Sequence, residues 1–308
     1  MKKRTFLAIV MLSTVALPLT GCSGLGDAIE NALRMKPDYY KSVATGGPLE
    51  QRYTAYGDHQ VDSHEFTESG HRYKVWYPDT LKSANTVFPA VVMANGSGIR
   101  YRAYEATFQH LASWGFVVIG DDVDSTATGQ SVSLMVDKLR ALNTQPGVFR
   151  NKINMEQIGV SGHSQGAVGA VNGITRGGNG RHFSSAYLAS MTSPTVIENM
   201  KWDSWRYDTG GIKIPVFIVA GTGRADSESI SPLSSMLEVF DSLKDNGTTA
   251  LARRKDTDHG EMLANADGYM TAWFRYTLLK DPQAAGVFVG AHPELRANTR
   301  NWQDVRLK

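Results

Sequence analysis

Residues 161–167 read SGHSQGA, and Ser164 stands two residues after Gly162 and two before Gly166. A serine hydroxyl is a weak nucleophile by itself. It can attack a carbonyl carbon when a histidine removes its proton and a carboxylate orients that histidine. The G-x-S-x-G spacing suits this chemistry, because a serine on a sharp strand-to-helix turn projects its hydroxyl clear of the backbone. A side chain at 162 or 166 would collide in such a turn, and glycine has no Cβ to collide. A helix starting there would aim its first N–H groups at the charge that develops on the attacked carbonyl oxygen.

Whether a base and an acid can reach Ser164 depends on the elements around it. Apolar runs predict strands at 71–78, 86–96, 116–122, 157–162, 184–191, 214–221 and 249–256. Amphipathic or glycine-stopped patterns predict helices at 104–115, 131–143, 167–176, 231–245 and 268–280. Buried strands alternating with helices imply a parallel sheet covered on both faces, hence one α/β domain over 51–308. Ser164 then lies between a strand, QIGVSG, and a helix, as an elbow requires. Only about 23 residues separate Met191 from the strand at 214, which leaves no room for a large cap.

In α/β-hydrolases the chain order is serine, then acid, then histidine. Three histidines follow Ser164. His182 precedes the strand at 184, and His292 lies in an irregular tail beside Pro293. His259, in DTDHGEM, falls between the last strand and the closing helix, where the base belongs. The acid should follow IPVFIVAG, which points to Asp226 in GTGRADSES, with Glu228 as its rival. Asp256 and Asp258 adjoin the histidine and are expected to shape its loop. Two N–H donors must hold the oxyanion. Gln165 supplies one as the residue after the nucleophile. The NGSG loop after the strand at 86–96 supplies the other, from Ser97 or alternatively Gly98. Gly98 and Tyr101 are assigned to substrate binding, and Tyr104 is a further candidate for the pocket wall. The NGSG loop has neither G-x-G-x-x-G nor a phosphate-binding lysine.

The chain of 308 residues is 42% apolar and 20% charged, an ordinary globular balance. Its net charge of +2 includes Lys2, Lys3 and Arg4; the remainder carries 29 basic against 30 acidic residues. A nearly neutral body argues against a nucleic-acid partner, which would need a basic patch. The first 21 residues have a basic start and an apolar stretch, interrupted by Pro18, that is too short to span a bilayer. They read as a secretory signal. Its end, LTGC, resembles the lipobox of bacterial lipoproteins. That resemblance implies lipidation at Cys22 and a membrane partner. With Ser23 next rather than aspartate, it implies the outer membrane of the bacterial envelope. Cys22 is the one cysteine, so no intramolecular disulfide can form. Residues 22–50 read as a tether with a short helix around 27–34. The segment DHQVDSHE at 58–65 has no metal-ligand spacing and reads as a solvated strand edge. Trp202 and Trp205 fit a cleft border or simple packing equally well.

LASWGFVVIGDDVDST (111–126), IGVSGHSQGAVGAV (158–171) and AWFRYTLLKD (272–281) together resemble the bacterial cutinase and polyester-hydrolase family, with its chlorophyllase-like and dienelactone-hydrolase relatives. The resemblance covers roughly residues 70–285. It implies an α/β-hydrolase fold with helices on both faces of a mostly parallel sheet and no large cap. It also implies a serine esterase needing no cofactor or metal, with Ser164, Asp226 and His259 as nucleophile, acid and base, and Ser97 and Gln165 at the oxyanion. The family's polyester hydrolases carry an aromatic residue where Ser97 stands and commonly a methionine where Gln165 stands. The expectation is therefore a monomer acting on short to medium acyl esters, small or polymeric. Acyl transfer or peptide hydrolysis would use the same residues, and a non-catalytic surface-binding role is the alternative from another class.

Overall fold

In a computed structural model, residues 34–244 and 247–308 are described. The signal segment, Cys22 and all of the expected short helix except Arg34 lie outside the described residues. Nine strands form one sheet in the order β1-β2-β4-β3-β5-β6-β7-β8-β9. They are β1 (Val61–Glu68), β2 (His71–Pro78), β3 (Phe88–Ala94), β4 (Val117–Asp121), β5 (Ile153–His163), β6 (Phe183–Ala189), β7 (Val216–Gly221), β8 (Thr249–Arg254) and β9 (Trp302–Leu307). The six central strands β3 to β8 pair in parallel. Antiparallel pairings join β1 to β2, β2 to β4 and β8 to β9.

Strand β3 is buried at every position because both faces of the sheet are covered. Its residues divide between two apolar layers. Ala90 and Val92 pack with Val132, Met135 and Val168, while Val91 and Met93 pack with Phe108, Met270 and Phe274. The first layer is closed by α3 (Gln130–Thr144), α4 (Gln165–Thr175) and α6 (Leu233–Ser242); the second is closed by α2 (Tyr101–Ser113) and α8 (Asp267–Thr277). Each large side chain fully buried in these layers contributes about 1.5–3 kcal/mol. Between β6 and β7 there is one short helix, α5 (Pro194–Asn199), and a 3₁₀ turn at Asp203–Trp205. This is an α/β-hydrolase fold without a large cap.

Packing starts before residue 51, so the tether read over 22–50 is corrected from Met35 onward, where the Met35 N–H donates to the Ala103 carbonyl at 3.0 Å. Tyr39 is buried, and its hydroxyl donates to Asp267 at 2.5 Å. Helix α1 (Pro48–Thr54) has no cap within its own segment. Glu294 supplies it, accepting from the N–H groups of Leu49 and Glu50 at 2.8 and 2.7 Å. Buried Glu50 in turn accepts from Trp302 and Asn301, both at 2.7 Å, tying this helix to the start of β9. The fold is completed by α7 (Met262–Asn265), α9 (Pro282–Ala285) and α10 (Glu294–Ala297).

Candidate active site

The chain passes from β3 outward to β4 on one side, then returns to β5 on the other. The carboxyl ends of β3 and β5 therefore flank a crevice where the strand order reverses, the usual ligand position in such sheets. The loop 95–98 leaves β3 there and Ser164 follows β5. Asp226 and His259 come from the loops after β7 and β8.

Ser164 sits at φ 59° and ψ −121°, a strained backbone for an L-residue that costs about 1–3 kcal/mol. Its N–H donates to Ala189 at 2.9 Å, and its carbonyl accepts from Ala167 at 3.1 Å, so the turn is held from both sides. A Cβ on Gly162 would run into the Gly166 carbonyl, and one on Gly166 into the Ala94 carbonyl. The sharpness of this turn is why both positions are glycine.

Asp226 opens a π-helical turn, closed by a bond from Ser231 N–H to its carbonyl at 3.1 Å. Its side chain is fully buried. One carboxylate oxygen accepts from His259 Nδ1 at 2.7 Å; the other accepts from Ser190 Oγ at 2.6 Å and Gly221 N–H at 2.7 Å. Burial pushes this carboxyl up, but the His259 contact and the Ser190 and Gly221 hydrogen bonds outweigh it and hold the group below the usual carboxylate range. Glu228 instead pairs with Arg224 at 3.0 Å, with its side chain 62% exposed, and has no part in the pair. Asp258 shapes the loop as expected: its Oδ1 accepts from His259 N–H at 2.8 Å and from Ala225 N–H at 3.0 Å. It thereby binds the loop after β7 to the loop after β8.

Neither Ser164 Oγ nor His259 Nε2 has a hydrogen-bond partner among the described residues. The His259 ring lies 4.5 Å, centroid to centroid, from that of His163, the residue just before Ser164.

On the other side of the crevice, Gln165 occupies the first position of α4, where the N–H has no intrahelical partner. The Ser97 N–H likewise has no acceptor among the described residues. The Gly98 N–H donates to Asp124 at 3.0 Å, which removes it as the alternative donor. Gly98 itself lies at φ 68° with open space where a side chain would be. The Gln165 side chain accepts from the Thr126 N–H and donates to Ser97 Oγ at 3.0 Å. It staples the two candidate donors together.

Tyr101 is corrected. It is 1% exposed, its ring packs edge-on against Trp76, and its hydroxyl donates to Glu65 at 2.7 Å. Its place at the start of α2 turns it toward β1 and β2. Tyr104, one helical turn later, does reach the crevice: its hydroxyl accepts from the Gly96 N–H at 3.3 Å. Trp202 and Trp205 stack on each other at 4.2 Å and pack against the core. The segment 58–65 forms the start of β1, where Asp62 pairs with Lys82, His64 stacks on Phe66 and Glu65 takes Tyr101. No three His, Cys, Asp or Glu side chains cluster as metal ligands among the described residues.

Ser190, which holds the Asp226 carboxylate, is a contact the sequence reading missed. Its signal is a serine directly after a buried apolar strand, and it lies at φ 46° beside the strand that leads to Asp226. No protein-family model matches the chain, and no curated protein matches it.

Proposed function

We propose that this protein is a serine carboxylic-ester hydrolase of the cutinase type, acting on short to medium acyl esters. The observation that carries the reading is the buried Asp226 carboxylate holding His259 Nδ1 beside a strained serine elbow. With Nδ1 donating to Asp226, His259 presents a bare Nε2 as base. In the proposed reaction Ser164 Oγ bonds to the ester carbonyl carbon, its proton passes to His259 Nε2, and the carbonyl electron pair moves onto the oxygen. The N–H groups of Ser97 and Gln165 hold that oxyanion. Collapse breaks the bond to the alcohol oxygen, which leaves with the proton from His259. Water then repeats the steps on the acyl-enzyme, releasing the acid and restoring Ser164. Asp226 stabilises the transient imidazolium and stays ionised.

The short segment between β6 and β7 leaves the crevice uncapped, which favours short acyl groups. Each CH₂ left in water forgoes about 0.8 kcal/mol. We also propose that the domain is carried on a lipid at Cys22 in the bacterial envelope; labelled palmitate should enter the wild type and not Cys22→Ser.

A fluorophosphonate probe tests the hydrolase reading. Wild type should be labelled and should turn over p-nitrophenyl butyrate faster than the palmitate ester. Ser164→Ala should lose labelling and at least about 10³-fold in turnover. Equal turnover by purified, folded Ser164→Ala would overturn it.

A further inference from the structure

His163, the first variable residue inside G-x-S-x-G, is 7% exposed and sits between the elbow and the His259 loop. Its Nε2 lies 2.8 Å from the carbonyl oxygen of His259. A carbonyl has no proton to give, so Nε2 must carry one, and the tautomer of His163 is fixed. Its Nδ1 is then a bare acceptor, buried and without a partner among the described residues. Buried polar atoms are rarely left unpaired. An apolar ring would fill the same space without that penalty, so what distinguishes histidine here is the one bond it makes.

That bond completes a set. The His259 N–H is held by Asp258, its Nδ1 by Asp226 and its carbonyl by His163. The first two anchors fix the base relative to the acid loop. The third alone fixes it relative to the nucleophile, because His163 is covalently next to Ser164. The two imidazole rings also stack, tilted by 36°. We infer that His163 is a positioning residue whose Nε2–H sets His259 in register with Ser164. This rests on the hydrolase reading above. The groups facing His163 are the ring of His259, Asp226 behind it, and Tyr104 edge-on from α2 at 6.4 Å. Burial first, and then the charge that His259 gains during reaction, hold the His163 pKa well below the ordinary histidine value. A neutral His163 keeps its donor and adds no second positive charge beside the imidazolium.

The experiment pairs two variants with a measurement independent of activity. His163→Phe keeps a ring and loses the donor; His163→Gln keeps a neutral N–H donor. His163→Phe should lower kcat on the order of 10-fold with KM for p-nitrophenyl butyrate nearly unchanged, and His163→Gln should recover most of the loss. In ¹⁵N-histidine NMR of the wild type, His163 should remain the neutral Nε2–H tautomer across about pH 5–8, where an ordinary histidine titrates. A His163 that titrates in that range or carries its proton on Nδ1, or a fully active His163→Phe, overturns the inference. If the wild type fails to react with the fluorophosphonate, the hydrolase reading falls instead, and the tautomer measurement still decides the placement of His163.

Discussion

The two halves of the crevice are held by different chemistry. On the acid–base side a buried carboxylate takes three hydrogen bonds, and a second one, Asp258, ties the loops together. On the oxyanion side the ties nearest the proposed donors are neutral: Gln165 to Ser97 and Thr126, and Thr126 Oγ1 to the Asn95 carbonyl at 2.7 Å. Asn95 in turn donates to the carbonyls of Asp121 and Val123, both at 2.8 Å. A charge-assisted hydrogen bond is roughly twice as strong as a neutral one. In the proposed reaction the base must keep its orientation while it gains and loses a proton, so it needs an ionised partner. The backbone donors stay neutral throughout and need only their loop held in place.

The largest effect should come from breaking the charged side. Asp226→Asn keeps the shape but removes the charge and lets His259 adopt the wrong tautomer, so kcat should fall on the order of 10³- to 10⁴-fold. The sign with pH is set by the lowered pKa of Asp226. A carboxylate depressed on folding contributes stability above its unfolded value near 4, and that contribution is lost as pH falls through its folded value. Through the neutral range the wild-type group stays ionised, so the deficit of Asp226→Asn should not shrink between about pH 6 and 8. Glu228→Gln should change kcat less than about twofold, being a solvent-facing pair. A larger loss in Glu228→Gln than in Asp226→Asn would reassign the acid.

Breaking the neutral side should cost less. Gln165→Ala removes the tie to Ser97 and the acceptor for Thr126 N–H but leaves both proposed backbone donors in the chain. A misplaced donor loop should lower kcat between about 10- and 100-fold. Ser97→Ala, which loses only the Oγ end of the same bond, should cost less than Gln165→Ala. The reverse order would show that the Ser97 hydroxyl acts directly rather than through the staple.

What could be read beforehand divides along the same line. The glycine-flanked turn at Ser164 and the Asp226–His259 pair were legible because each depends on a local signal: glycines at fixed spacing, and a carboxylate or histidine just past a buried strand. The strands β3 to β7 were legible from their apolar runs, since both faces are covered, and β2 from its alternation. The supports were not. Ser190 reaches Asp226 across 36 residues, and the Gln165 side chain reaches Ser97 across 68. Helix α1 takes its cap from Glu294, 245 residues from Leu49, so the partner that completes its start is not legible nearby in the sequence. Tyr101 was misplaced because its position after the oxyanion loop is legible, whereas its direction depends on which face of α2 meets Trp76.

Asp121 offers a small effect on turnover and separates stability from activity on the oxyanion side. It is fully buried at the end of β4, where one oxygen accepts from Ser131 Oγ at 2.5 Å and the other from Asn95 Nδ2 at 3.1 Å. Burial pushes its pKa up to about 6, against the pull of the Ser131 and Val123 hydrogen bonds. A carboxyl raised on folding holds its proton more tightly in the folded state, so its contribution is greatest at low pH. That contribution is lost as pH rises from about 4 to about 6, a change on the order of 3 kcal/mol. An amide at this position has no proton to lose. Relative to wild type, Asp121→Asn should therefore melt lower at pH 4 than it does at pH 7, the gap closing by several degrees at about 2–4 °C per kcal/mol. The titration of Asp226 is common to both proteins and cancels in the comparison. Turnover at pH 7 should stay within about threefold, because Asn95 also keeps its bonds to two backbone carbonyls. Parallel melting curves across pH 4–7 would show that the Asp121 carboxyl is not raised despite its burial, and that this side keeps its charge down to pH 4 as the Asp226 side does.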